Sequence, residues 1–307
     1  MDVVFWVSLF CSLAVLFLGV YVFRVGERVS FETRKTFLTL TATLSIWVFG
    51  SGVREYIPES LSRLAPNWIL AAVVFVPFYL KELTLSILEE KYEPSREFRT
   101  FEYFLLGYLV LSCFFSATIN VMEEGISVYK PLFAYHVLIA YSVLYVSASI
   151  FLMLRKAIRY RGIVRVRSTL LMLGTLSGFI VSILFVYILP IFGIYKGYFS
   201  VFGILSWVFF WSVAIIQYNA FEIRELILRN PFTAKREIPF LSRISLKPVL
   251  GLYFLLDPLG YRLRLRKSRI EIVRYLLQYQ TALMNNSEMN QDTQLRKVTK
   301  IFERFLK

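Results

Sequence analysis

Uncharged stretches long enough to cross a bilayer recur along this chain, and short basic segments separate them. The clearest pair is Ser168 to Tyr195 and Gly197 to Phe221, with Lys196 alone between them and Glu222 and Arg224 directly after. About 20 apolar residues span the hydrocarbon core as a helix, so each stretch predicts one crossing. In lipid the backbone must satisfy its own hydrogen bonds, which leaves helices as the fold for such runs.

Earlier in the chain the same signal marks Val3 to Phe23, Thr36 to Val53, Tyr103 to Met122 and Pro131 to Leu154. A further run from Pro66 is interrupted by Lys81 and Glu82 before Leu83 to Leu88 resume it. The expected helices are thus 3–23, 36–53, 66–86, 103–122, 131–154, 168–190 and 197–221. With 57% hydrophobic and only 18% charged residues, the chain is more apolar than a soluble domain, which carries about 25% charge. The expected fold class is an all-α polytopic membrane protein of seven transmembrane helices. Val3 to Phe23 follows an acidic rather than a basic start, which predicts a retained anchor and not a cleaved leader.

Lysine and arginine in short loops stay cytoplasmic. The first, third and fifth connections hold fourteen of them, and the second, fourth and sixth hold four: Arg54, Arg63, Lys130 and Lys196. That bias predicts the N-terminus outside and the C-terminus inside. Residues 1–225 form the expected seven-helix membrane domain, and 226–307 a small basic α+β cytoplasmic tail.

From Glu222 onward the chain has seventeen Lys and Arg against eight Asp and Glu. Near an anionic leaflet each basic residue contributes about 1 kcal/mol, so the tail is expected to meet membrane lipids. No aromatic and basic interleaving on a nucleic-acid scaffold accompanies it, and nucleic acid is not an expected partner. Within the tail, Val249 to Leu256, the turn residues Asp257-Pro258-Leu259-Gly260, and the alternating Tyr261 to Arg266 predict a hairpin. Ser268 and Glu271 have capping-box spacing, predicting a helix with Ile270, Val273 and Leu277 on one face. A last helix from Asp292 would align Leu295, Val298 and Phe302. These two stripes are the expected contacts for a partner.

Chemistry is sparse. His136 is the one histidine, and no second ligand type stands at a helical spacing from it, so no metal is expected. Neither a phosphate-binding glycine loop nor a nucleophile motif occurs, and no catalytic or cofactor-binding residue is expected. Cys11 and Cys113 sit in apolar runs as small hydrophobes. The helix centres carry no ionisable residue besides His136, which argues against charge-coupled transport. A retinal receptor would need a lysine within its last helix, and Lys196 precedes that helix.

His136, near the outer end of the fifth helix, is the ligand-sensing candidate. Gly174 and Gly178 form a GxxxG pair in the sixth helix and are the helix-packing candidates, either inside the bundle or in a homodimer. Pro77 and Pro190 should kink their helices. Trp207 and Trp211 are expected to face lipid or to pack.

A resemblance joins several of these features. Trp47 within its uncharged run, the basic connection Arg155 through Arg167, the pair Leu189-Pro190, and the sequence Ala214 to Ile223 occur in that order. Over roughly residues 5 to 225 the chain resembles the seven-helix N-terminal region of bacterial sensor histidine kinases. The resemblance implies that residues 1–225 are a membrane sensor-like domain, in a bacterial inner membrane, whose last helix leads into cytoplasmic signalling modules. Kinases of that kind phosphorylate a cytoplasmic histidine and bind ATP, whereas the tail here contains no histidine and is too short for both modules. The expected function is a non-catalytic receptor that relays a signal through its last helix and tail to a cytoplasmic signalling protein. The alternative is a carrier or lipid-binding protein for a neutral solute.

Overall fold

The computed structural model describes residues 3–25, 29–58, 61, 64–88, 95–121, 129–216 and 240–284. They are mostly helical. The chain divides into two compact units, Met1–Arg159 with Arg167–Ile216, and Tyr160–Val166 with Gln217–Lys307.

In the first unit α1 (Val3–Val25), α2 (Phe31–Val53), α3 (Ala65–Leu88), α4 (Arg96–Phe114) and α5 (Phe133–Arg159) follow one another. Helix α6 runs from Ile163 to Ile183 and continues through a π turn, Leu184–Ile188, into Leu189–Ile191. Helix α7 is Ser200–Ile216. Among the described residues six helices are long and apolar enough to cross a membrane: Val3–Val25, Phe31–Val53, Ala65–Leu88, Phe133–Arg159, Ile163–Ile191 and Gly197–Ile216. Starts are fixed locally. The Ser30 hydroxyl accepts the Thr33 N–H at 3.2 Å, and the Ser95 hydroxyl accepts the Phe98 N–H at 3.3 Å, each occupying an otherwise orphaned donor.

Helix α1 packs on α2 and α7, α2 on α3, and α3 on both α4 and α5. Leu70 and Val74 of α3, Leu106 and Leu109 of α4, and Leu138 and Tyr141 of α5 meet in a common apolar core. Gly178 allows α6 to approach α7 closely. A Cβ there would stand 2.8 Å from Trp207 Cβ and 3.3 Å from the Gly203 carbonyl oxygen. Gly174 faces Phe210 and Trp207 in the same way, so the GxxxG pair packs inside the bundle. Trp207 and Trp211 are buried, and the Trp211 indole donates to Leu171 O at 3.1 Å and Thr175 Oγ1 at 3.0 Å.

The expected fourth helix, 103–122, is displaced in the structure. Helix α4 starts earlier, at Arg96, and stops at Phe114, after which Ser116 takes a positive φ of 55°. Ile119–Val121 then forms strand β1, antiparallel to β2 at Tyr129–Pro131, with Ile119 opposite Pro131. Pro131 therefore ends a strand instead of opening α5. Asn67, fully buried near the start of α3, holds this hairpin. Its amide donates to Ile119 O at 3.0 Å and accepts the Ile119 N–H at 2.9 Å, as a neighbouring strand would.

In the second unit the described tail is helical, α8 (Phe240–Leu256) and α9 (Pro258–Met284). The hairpin expected over Val249 to Arg266 is replaced by these helices, so its residues supply no β part. Asp257-Pro258 is a helix start, not a turn between strands. Asp257 Oδ1 accepts the Gly260 N–H at 3.0 Å, and Pro258 stands first in α9, where a missing N–H costs nothing. Ser268 lies inside α9 and starts no helix.

Candidate functional site

Pro190 creates the site. A proline has no N–H, so the carbonyl four residues earlier, that of Val186, loses its helical donor. The helix answers with the π turn over Leu184–Ile188, a feature often found where helices do work. Two tyrosines from other elements fill the gap. Tyr135 of α5 donates its hydroxyl to Val186 O at 2.7 Å, and Tyr129 of β2 donates to the same oxygen at 3.1 Å. Burial pushes the Tyr129 phenol above the ordinary tyrosine range, which keeps it a neutral donor.

A cavity of about 110 Å³ opens beside these tyrosines, lined among others by Trp47, Arg54, Ile119, Tyr129, Tyr135 and Tyr195. The Arg54 guanidinium lies 5.6 Å from the Tyr129 ring centre, a cation–π arrangement. Tyr195 donates to the Tyr129 carbonyl at 3.3 Å. A second cavity of about 100 Å³ shares Trp47, Leu70, Tyr135 and Val186 with the first. It is apolar, extending between α3, α5, α6 and α7 past Pro77, Leu138, Gly178 and Trp207. A polar aromatic chamber thus continues into an apolar one, with Tyr135 at the join. Polar groups converging on an apolar pocket are the usual form of a small-molecule site.

The chain matches the family described as the N-terminal 7TM region of histidine kinase over residues 7–224. It belongs to that family. No curated protein and no solved structure matches. The 7TM region is a membrane sensor domain, and the described residues lining the cavity fall within it apart from Val4. The chain is accordingly a multi-pass membrane protein.

The residues singled out from sequence fall into different places. His136 is exposed and pairs Nδ1 with the Tyr187 hydroxyl at 3.2 Å. It does not line the cavity; its neighbour Tyr135 does. Gly178 lines the apolar chamber as well as packing on Trp207. Ile270, Val273 and Leu277 are exposed on α9. Leu295, Val298 and Phe302 lie outside the described residues.

An ionisable pair is buried where three helices meet. Lys81 of α3 donates to Glu102 of α4, which is 3% exposed and also accepts the Tyr145 hydroxyl of α5 at 2.7 Å. The rings of Phe78, Phe98 and Tyr145 lie 5.3 to 5.8 Å from the Lys81 ammonium. Three helices of the 7TM region are therefore tied at one point.

The second unit contains its own clasp. Gly162, at φ +74°, donates its N–H to Asp257 Oδ2 at 2.8 Å, and Arg165 donates to the Leu256 carbonyl at 2.9 Å. The segment 160–166 joins α5 to α6, so the tail helices hold the connection between two helices of the 7TM region. The Gly260 and Gly162 amides and the nearby Arg165 and Arg161 hold the Asp257 carboxyl below the usual aspartate range. A carboxylate depressed in the native state stabilises fully above its unfolded pKa of about 3.9, and that contribution is lost as pH falls through the native value. Acidification from neutral to below about pH 4 is expected to release the clasp, read as faster amide exchange at Gly162 and Gly260. Asp257→Asn should show fast exchange already at neutral pH, with no further step on acidification.

Proposed function

We propose that the chain is a seven-span sensor of a bacterial inner membrane that reads a small molecule in the two-chamber cavity and relays the change to a separate signalling protein. Helix α4 is the seventh span, its charged start at the inner face and Leu106, Leu109 and Cys113 packed inward. The basic connections and tail lie inside against the anionic leaflet, and the β1–β2 hairpin and Arg54 lie outside. The chain itself catalyses nothing.

The observation that carries this reading is the Val186 carbonyl. Tyr129 and Tyr135 both end on it, so a ligand that moves Tyr135 alters the hydrogen bonding of α6. At its other end α6 runs into the segment 160–166 that Asp257 and Arg165 clasp. Relay therefore has a path through α6 and the clasp besides the covalent path through α7. The exposed face Ile270, Val273 and Leu277 of α9 is the surface offered to the partner.

Full-length chain and the variant Ile270→Glu, Val273→Glu, Leu277→Glu, each purified from native membranes in mild detergent, test it. A kinase, phosphatase or response protein enriched with the native chain and absent from the variant is the expected result. Identical partner sets, or ATP hydrolysis by the purified chain, contradict it.

A further inference from the structure

We infer that the break between α8 and α9 is a lipid-inserting tip, its leucines entering the acyl boundary of an anionic leaflet and its arginines binding the head groups. This rests on the placement of the tail at the inner face and names the residues that hold it there. Three observations carry it.

The first is where the break stands. Gly162 donates to Asp257 Oδ2 at 2.8 Å and Arg165 to the Leu256 carbonyl at 2.9 Å, so Leu256 and Asp257 are fixed to the segment 160–166. That segment joins Phe133–Arg159 to Ile163–Ile191, two of the helices suited to cross a membrane. The uncharged run of α6 begins at Ser168, six residues after Gly162, about 9 Å at 1.5 Å per helical residue. The clasp therefore stands at the rim of the head-group layer, and residues within two turns of Asp257 are in reach of that layer.

The second is the apolar surface left open at this place. Leu255, Leu259 and Leu263, spaced four apart across the break, are 77%, 69% and 69% exposed. Helical hydrogen bonds cross the break, from the Asp257 N–H to Tyr253 O and from the Tyr261 N–H to Asp257 O, each at 2.9 Å. The spacing of four thus keeps the three leucines on one side. Soluble surfaces seldom leave such a cluster open unless something covers it.

The third is the charge around the leucines. From Pro258 to Ile270 the chain has Arg262, Arg264, Arg266, Lys267 and Arg269, all exposed, and no acidic residue. Protein interfaces are depleted of charge at their centre. At a bilayer surface, by contrast, arginine stems lie along the apolar region and extend their heads to the phosphates. A second copy of the tip would set five cations against five. An anionic leaflet suits the leucines and the arginines together.

Single-cysteine reporters in the full-length chain test this. The sites are Leu259→Cys, Leu263→Cys and, as the distant reference on α9, Gln278→Cys, all exposed positions. The native Cys11 and Cys113 are buried, and the chain without an added cysteine sets the labelling background. Each reporter carries the polarity-sensitive dye NBD in nanodiscs of phosphatidylcholine with or without phosphatidylglycerol, and lipids bearing a nitroxide on the acyl chain serve as quencher. A blue shift and several-fold stronger quenching at 259 and 263 than at 278, both enhanced by phosphatidylglycerol, are the expected results. Changing Arg262, Arg264, Arg266 and Lys267 together to glutamine should abolish the enhancement by phosphatidylglycerol.

Quenching no stronger at 259 and 263 than at 278 overturns the inference. A blue shift without quenching overturns it too, since protein and not lipid would then cover the tip. Equal quenching with and without phosphatidylglycerol contradicts the role given to the arginines. A failed tip, together with a partner that the α9 variant still loses, leaves the relay reading standing. A quenched tip with an unchanged partner set leaves the tip standing and removes the relay.

Discussion

Lys81→Met is expected to destabilise the protein by about 3–5 kcal/mol, the cost of leaving a buried charge without its partner. Glu102 would then keep only the Tyr145 hydroxyl in a site that is 3% exposed. Glu102→Leu should cost less, because the Lys81 ammonium keeps the partly exposed Glu82 carboxylate at 3.5 Å. The double variant should recover most of the loss, since a buried ion pair replaced by well-packed apolar residues is often neutral or better. Thermal unfolding of the three variants in detergent, analysed as a double-mutant cycle, checks this. A double variant as unstable as the two single losses combined would show that the pair is not a unit.

Asn67→Leu should unfasten the β1–β2 hairpin. The side chain closes both backbone groups of Ile119, and its removal leaves a buried N–H and a buried C=O unpaired, at about 1–3 kcal/mol each. Ile119 and Tyr129 both line the polar aromatic chamber, so the effect should extend to the site. Exchange at the Ile119 amide is expected to rise strongly while the amides of α2 stay protected. Unchanged exchange at Ile119 would mean the hairpin is held by its own ladder.

Hydropathy made the six long apolar helices legible, because a run without charges of that length has few alternatives in lipid. The fourth helix was misplaced for a physical reason. Counting from the first uncharged residue put the start at Tyr103, yet Ser95 caps the helix and Glu102 is carried inside by its bond to Lys81. At the other end Asn67 and the positive φ of Ser116 end the helix and make a strand, and a side-chain amide acting across about fifty residues leaves no local trace. The tail hairpin failed on Asp257-Pro258. Turn chemistry and helix-start chemistry use the same residues, and the clasp to Gly162 is a tertiary contact.

The site itself was half legible. Pro190 was expected to bend its helix, and the same missing N–H identifies Val186 as the carbonyl needing a partner. Nothing in the sequence says that Tyr129 and Tyr135 supply it. His136 drew notice as the one histidine, whereas its neighbour Tyr135 reaches the cavity. Arg54 counted only as a loop charge until the fold placed it over Tyr129.

The central claim is that events at the cavity reach the tail through α6. Tyr135→Phe removes one hydroxyl from Val186 O and changes nothing in the second unit directly. Amide exchange at Gly162 and Gly260, the two donors to Asp257, is the measurement that tests the claim most directly in full-length chain in nanodiscs. The account predicts faster exchange at both in Tyr135→Phe than in the native protein. Identical exchange at both, with the hairpin and cavity visibly altered, would contradict it.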